Sequence, residues 1–511
     1  MRAVHLVPAG VVLVALGAIG GVAQLGHPAA AQHPGTPGHV SSPAAIRQVP
    51  VTAAARACPP APGGAAAPVA LLAGGAAAGG AGGAGATGKG QVELTALPPA
   101  GVPVHAAAAV RAQSPGALSL LTLPTAKATG KQAATQAEQG WSVAGGGAMA
   151  QGLEAELTQD SGLASVRCAE PGSDLWFVGP GQQNGGSQVQ VDLMNVDSTA
   201  ASVDVSVIND GGQVQAGANN GITVPPHQTV TESLSSVARG SSVLAIEVHT
   251  SIGRVAADVS EGSSGGATSW LPGTAAPSTR LVIPGVPPSG STAGLFLADP
   301  GPSTAKVTVT AITPQGHISP FGPQSVDLPG QSASYVALSP LGGTTAALQI
   351  SSNVPVAASV VVPGNSGPGV LTAATAPISE QAVVAGNISG DGMAASVLLS
   401  APGAAALVRL TEIAPASRGG ASVTASQVVP VKAGRTVAAP VKAPKGAKHG
   451  SPFALVITPL HGSGPLYAAR VEIQGRSSVV SIIPAASALT TISLPPVRDS
   501  YDAISPYPSS P

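Results

Sequence analysis

From Trp176 onward, apolar and polar positions alternate in short runs separated by turn-forming residues, and the order of the runs repeats. Val203-Asp-Val-Ser-Val207, Val307-Thr-Val-Thr-Ala311 and Ala406-Leu-Val-Arg-Leu410 occupy matching places, with the period of two expected of strands. Turn-rich segments then lead to Pro226, Gly330 and Gly434, which stand 104 residues apart. Beyond them come Val255-Ala-Ala-Asp-Val259, Val356-Ala-Ala-Ser-Val360 and Tyr467-Ala-Ala-Arg-Val471. A unit of about 100 residues with about seven short strands and frequent turn signals fits an immunoglobulin-like sandwich. The expected fold is therefore all-β, with three tandem immunoglobulin-like β-sandwiches at 176–275, 280–378 and 381–490. Solenoids and propellers repeat every 20–50 residues or so and fit less well.

Upstream the pattern weakens. Strand-like runs at 92–97 and 117–123, and the alternating Gly152-Leu-Glu-Ala-Glu-Leu157, mark 51–175 as a β-rich N-terminal region whose strand order the sequence leaves open. A Gly/Ala-rich loop at 61–90 interrupts it, residues 32–50 read as linker, and the tail 496–511 has no apolar periodicity. At the start, Arg2, an apolar run from Val7 to Leu25 and a small-residue site ending at Ala31 read as an export signal, 1–31, in the form of a signal peptide or an uncleaved membrane anchor.

Composition narrows the function classes. Charged residues are 9% of the 511 and aromatic residues 2%, so the cores must be built from Val, Leu, Ile and Ala. The 22 basic and 23 acidic residues are dispersed, which argues against a nucleic-acid partner. The exception is the Lys442–His449 stretch, where the last unit is longer than the others; it reads as a solvated excursion, although sandwich-end loops also carry binding. Cys58 and Cys168 are an even pair in an exported chain, so a disulfide is expected, with two separate buried thiols as the alternative. They cannot supply a four-ligand metal site, and no metal or cofactor is expected.

Motifs that imitate active sites fail on context. Gly83-Ala-Gly-Ala-Thr-Gly88-Lys89-Gly90 resembles a phosphate loop but ends in Gly rather than Ser or Thr. Ser264 in Gly262-Ser-Ser-Gly-Gly266 and Ser366 in Gly364-Asn-Ser-Gly-Pro368 lie in turn-rich segments, and His227, His249, His317, His449 and His461 stand singly. No catalytic residue is assigned. The segment Cys168-Ala-Glu-Pro-Gly-Ser-Asp174-Leu-Trp176-Phe177-Val-Gly179 is different, because it joins a cysteine, an acid and adjacent aromatic residues where the repeats begin. Trp176 and Phe177 could seal the junction with the N-terminal region, and Trp176 beside Asp174 could stack on a sugar ring.

That segment, the export signal, the cysteine pair and the sandwich repeats resemble an actinobacterial family of exported proteins known only as a domain of unknown function. The resemblance implies a cell-envelope protein, often encoded beside a glycosyltransferase, with no established activity. The expected function is that of a non-enzymatic envelope protein, a spacer or a binding module for a glycan or protein, with the membrane reached only through an uncleaved leader. The alternatives are a cell-wall-processing enzyme with its site in 51–175 and an accessory subunit of an envelope glycosyltransferase system.

Overall fold

In a computed structural model of the chain, nearly every strand-patterned run among the described residues pairs antiparallel with another, and helix there is confined to single turns. The structure describes residues 47–61, 68–74, 90–103, 110–112, 115–123, 139–158, 165–182, 188–214, 220–262, 268–288, 292–320, 325–338, 341, 343–363, 369–390, 392–417, 422–475 and 478–494. The leader 1–31, most of the linker 32–50, most of the Gly/Ala loop with Lys89, Ser264, Ser366 and the tail 496–511 lie outside them. Among the described residues no helix is long and apolar enough to cross a membrane.

After β1 (Arg47–Pro50), four pairs of sheets follow along the compact unit Gln48–Ile492. The first contains β2 (Ala53–Cys58), β3 (Pro68–Leu72), β4 (Gly90–Leu97), β5 (Val110–Ala112), β6 (Leu118–Thr122), β7 (Gly140–Gly147), β8 (Glu154–Thr158) and β9 (Ser165–Arg167), ordered β2-β7-β4-β5 and β6-β3-β8-β9. The second has β10 (Asp174–Pro180), β11 (Gln188–Met194), β12 (Ala201–Asn209), β13 (Gly212–Val214), β14 (Ile222–Val224), β15 (Thr229–Ser233), β16 (Val243–Ile252), β17 (Ala256–Gly262), β18 (Thr268–Leu271) and β19 (Gly273–Thr274). Its sheets run β13-β12-β16-β10-β19, with β14 also on β12, and β15-β11-β17-β18.

The third pair has β20 (Ser278–Val286), β21 (Gly294–Asp299), β22 (Ala305–Ile312), β23 (His317–Ile318), β24 (Val326–Leu328), β25 (Ser332–Ala337), β26 (Ala346–Val362) and β27 (Val370–Ala373). Here one strand, β26, serves both sheets: its first part pairs with β20 and β22, its second with β21 and β27. The fourth has β28 (Ala382–Asn387), β29 (Met393–Ala401), β30 (Ala406–Ala414), β31 (Val423–Val431), β32 (Arg435–Val441), β33 (Phe453–Pro459), β34 (Tyr467–Gln474) and β35 (Ser478–Pro484), ordered β28-β33-β30-β31 and β32-β29-β34-β35. Residues Thr491–Leu494 form β36.

Two expectations are corrected here. The architecture repeats four times, not three, because the N-terminal region has the same connectivity as the others: counted within a pair, strands 1-6-3-4 form one sheet and 5-2-7-8 the other. The order also departs from an immunoglobulin domain. Strand 2 pairs with 5 and 3 with 6 as they would there, but strand 1 lies beside 6 and strand 7 beside 2, so the first and seventh strands have exchanged sheets, and strand 4 lies beside 3 rather than 5. Hydrophobic alternation reports which face a residue takes and says nothing about which strand lies alongside. The turns bearing Pro226, Gly330 and Gly434 all connect the fourth strand to the fifth, with the left-handed residue at His227, Gln331 and Gly434.

The pairs touch in a closed circuit. Ala57 and Leu97 of the first share a cluster with Met194 and Ala256 of the second. Phe296, Ala357 and Leu371 of the third extend the core of the second, and the Ser359 hydroxyl donates to Val178 O. Ala469, Val471 and Ile482 of the fourth extend the core of the third, at a separation so small that a Cβ on Gly285 would lie 2.5 Å from that of Ala469. Finally Ala70, Leu72 and Leu118 of the first pack on Val383, Ala385 and Val456 of the fourth.

This last contact contains the most deeply buried charge in the fold. The Arg470 guanidinium is fully buried between Glu156 of the first pair and Glu472 of the fourth, while Gly386 N–H donates to Glu156 (2.9 Å) and Ile388 N–H to Glu472 (2.7 Å). Two carboxyls share one cation, and burial, opposed by Arg470, raises Glu156 and pushes Glu472 up to about 7. An unfolded glutamate loses its proton near pH 4.5 whereas folded Glu472 keeps it to about 7, so stability falls as pH rises through that window. Urea denaturation is expected to give a higher midpoint at pH 5 than at pH 8, and Glu472→Gln to flatten that difference. Arg470→Met, which leaves two carboxyls facing each other, is expected to cost about 3–5 kcal/mol.

Candidate functional site

The junction segment singled out in the sequence lies where all four pairs converge. Cys58, ending β2, is bonded to Cys168, just past β9, with Cα atoms 4.2 Å apart and both residues fully buried, so the expected disulfide is present. Ala57 and Ala169 exchange backbone hydrogen bonds alongside it, which fixes the direction in which the chain leaves the first pair. Gly172 then bridges to Val255, and β10 begins at Asp174.

Strand alternation divides the segment's side chains. Asp174 and Trp176 share one face of β10, opposite His249 and Glu247, while Phe177 is on the other, opposite Ile246. Trp176 and Phe177 are 5% and 3% exposed, so neither is a free surface aromatic. All three residues border a partly enclosed cavity of about 250 Å³. The first pair contributes Arg167 and Glu170 to its wall, and the second adds Asp258 and Trp270. Leu371 and Thr375 come from the third, Ile482 and Ile483 from the fourth.

Asp258 and Trp270 were not singled out in the sequence, yet a signal was there. The runs Val255–Val259, Val356–Val360 and Tyr467–Val471 each carry one polar residue just before the last Val: Asp258, Ser359 and Arg470. The seventh strand of the first pair has Glu156 in the same place, before Leu157. All four are buried and set against another pair: Glu156 with Arg470, Ser359 with Val178 O, and Asp258 facing Arg167.

Two acids bordering Arg167 are shifted in opposite directions. Arg167 forks onto Glu154 (Nε to Oε2, 2.7 Å), which also accepts from Arg56 Nη2 at 2.9 Å. Burial alone would raise Glu154, but the two guanidinium groups outweigh it and keep the carboxyl below its usual range. Asp258 goes the other way. Burial and the facing carboxyl of Asp192, its register partner across β11 and β17, raise it well above the usual aspartate value, with Arg167 only partly opposing. Asp192 in turn accepts from the Thr231 hydroxyl at 2.6 Å.

Polar atoms of the wall residues that are buried without a hydrogen bond include Trp176 Nε1, Trp270 Nε1, Asp258 Oδ2 and Thr375 Oγ1. Indole N–H groups taken from water ordinarily find an acceptor. Two indoles, a hydroxyl-bearing side chain and an aspartate with a raised proton affinity thus belong to one cavity wall. Among the described residues no cluster of three metal-ligating side chains occurs.

The family match begins in the first pair, ends in the fourth and includes the Cys168–Gly179 segment. The chain belongs to the family described as "Family of unknown function (DUF5719)", which matches residues 122–442. No curated protein matches the chain. Most of the cavity wall, from Ser165 to Thr375, falls inside the span that defines the family, whereas Ile482, Ile483 and Pro484 lie beyond it.

Because the disulfide closes a span of 110 residues and is buried at the head of this segment, replacing Cys58 and Cys168 by Ser is expected to cost about 2–4 kcal/mol in chemical denaturation. Thiol labelling of the unreduced, denatured chain is expected to find no free sulfhydryl.

Proposed function

We propose that this is an exported, non-enzymatic envelope protein that binds a single sugar-like ring in the cavity shared by its four sheet pairs. The observation that carries the reading is the set of unpaired polar atoms on Trp176, Trp270, Asp258 and Thr375 around one small space. A polyhydroxy ring presents hydroxyl oxygens to the indole donors and C–H faces to their ring systems. The volume, about 250 Å³, is at the small end for ligand sites and suits one ring better than a chain.

Binding rather than catalysis is supported by how the other wall groups are engaged. Arg167 is held by Glu154 and the Thr274 hydroxyl by Ala358 O, so these groups hold strands in place. Export is supported by the leader-like N-terminus and by the buried disulfide, which persists in oxidising compartments. We read each sheet pair as a variant immunoglobulin-like sandwich with its first and seventh strands exchanged.

Trp176 and Trp270 report on the site directly. Titrating the full chain with a panel of neutral, acidic and amino monosaccharides is expected to give a saturable change in tryptophan emission for at least one class. Trp270→Ala and Asp258→Leu are each expected to weaken it at least tenfold, about 1.4 kcal/mol. A panel without any saturable response, or a response that survives both substitutions, would count against the reading.

A further inference from the structure

The geometry points to a second binding site, on the fourth sheet pair, for an extended polyanion: a chain carrying repeated carboxylate or phosphodiester groups. It is independent of the central cavity and shares no residue with it. A groove of about 1100 Å³ runs between the segment after β32 and the strands β30 and β31. Lys442, Lys445, Lys448 and His449 line it together with Glu412 and Gln427.

Three of the chain's eight lysines fall within these seven residues, although charged residues are only 9% of the sequence. All three are exposed, and among the described residues none forms an ion pair. The one carboxyl of the groove wall, Glu412, is buried, takes a hydrogen bond from Gln427 Nε2 (3.2 Å) and is raised by burial. The wall is thus cationic on balance.

The segment is also held in place. Ser417 N–H donates to Gly446 O (2.9 Å), Lys448 N–H to Pro415 O (3.0 Å) and Ala443 N–H to Ser389 Oγ (3.2 Å), so both of its flanks are tied to the sheet pair. Gly446, at φ +86°, makes the reversal between Lys445 and Lys448. A pinned loop keeps the ammonium groups over the groove at lower entropic cost than a free one.

Shape selects a chain over a flat surface, because the lysines border a concavity larger than most single-ligand sites. The wall has no Phe, Tyr or Trp to stack a base. The carboxylate and phosphodiester sources share one chemistry, and the experiment separates them.

The full chain is tested by calorimetry against polygalacturonate and against poly(glycerol phosphate), with neutral dextran and phosphatidylglycerol vesicles as controls. The expected result is binding to one or both anionic polymers, weakened at least tenfold between about 50 and about 500 mM salt. K442Q/K445Q/K448Q is expected to lose at least tenfold in affinity with an unchanged melting temperature, whereas the triple substitution to Arg retains binding. The proposal fails if neither polymer binds, if dextran binds equally well, if the Gln variant is unaffected, if the Arg variant loses binding as the Gln variant does, or if only the vesicles bind.

Discussion

One buried guanidinium, Arg470, determines whether this chain is a row of domains or a closed assembly. In a linear array each repeat touches only its neighbours and the terminal repeats expose their outer faces. Here the first and last sheet pairs meet, and the contact is sealed by Arg470 between Glu156 and Glu472, 314 residues apart in the case of Glu156. Two carboxyls and one cation, all buried, carry one negative charge too many; a proton held by Glu472 up to about pH 7 relieves it. The stability of the closure is therefore tied to the protonation of one buried side chain.

Closure also accounts for the composition. In a free-standing sandwich the outer face of each sheet is polar, so its strands alternate. Around the junctions both faces are covered: Val243, Leu244, Ala245 and Ile246 are all fully buried, as are Val356, Ala357, Ala358 and Val360. Charge would be costly on either side of such strands unless paired, and 9% charged residues is the outcome. The polar residue just before the last apolar position of each seventh-strand run, Glu156, Asp258, Ser359 or Arg470, has a partner or a facing group in another pair.

This explains which parts of the structure were legible in the sequence. The three later repeats were visible because their third strands keep a clean alternation and their seventh strands share the Ala-Ala-polar-Val run. The first copy was hidden: its opening strand is Ala53-Ala-Ala-Arg-Ala-Cys58, which has little apolar contrast, and Gly- and Ala-rich segments break its spacing. The exchange of the first and seventh strands left no trace, since both are apolar in either sheet. Cys168, Asp174, Trp176 and Phe177 could be noticed as a local cluster. Asp258 and Trp270 join Trp176 only through the folding of β17 and β18 against the first pair, and the one local clue was a carboxylate in an otherwise apolar run.

The protonation states around Arg167 show how the same closure shapes the cavity. Glu154 and Asp258 are both buried near that guanidinium, yet only Glu154 has hydrogen bonds from two arginines, and it alone is held in the charged form. Asp258 faces Asp192 across the sheet, and a second negative charge there would have no cation left to meet it, because Arg167 is already forked onto Glu154. The raised Asp258 carboxyl at the cavity wall thus follows from burial and from Asp192, with Arg167 of the first pair only partly opposing. Since Ile482 and Ile483 complete that wall from the fourth pair, the cavity exists only while the circuit is closed, whereas the lysine-lined groove is built within a single sheet pair.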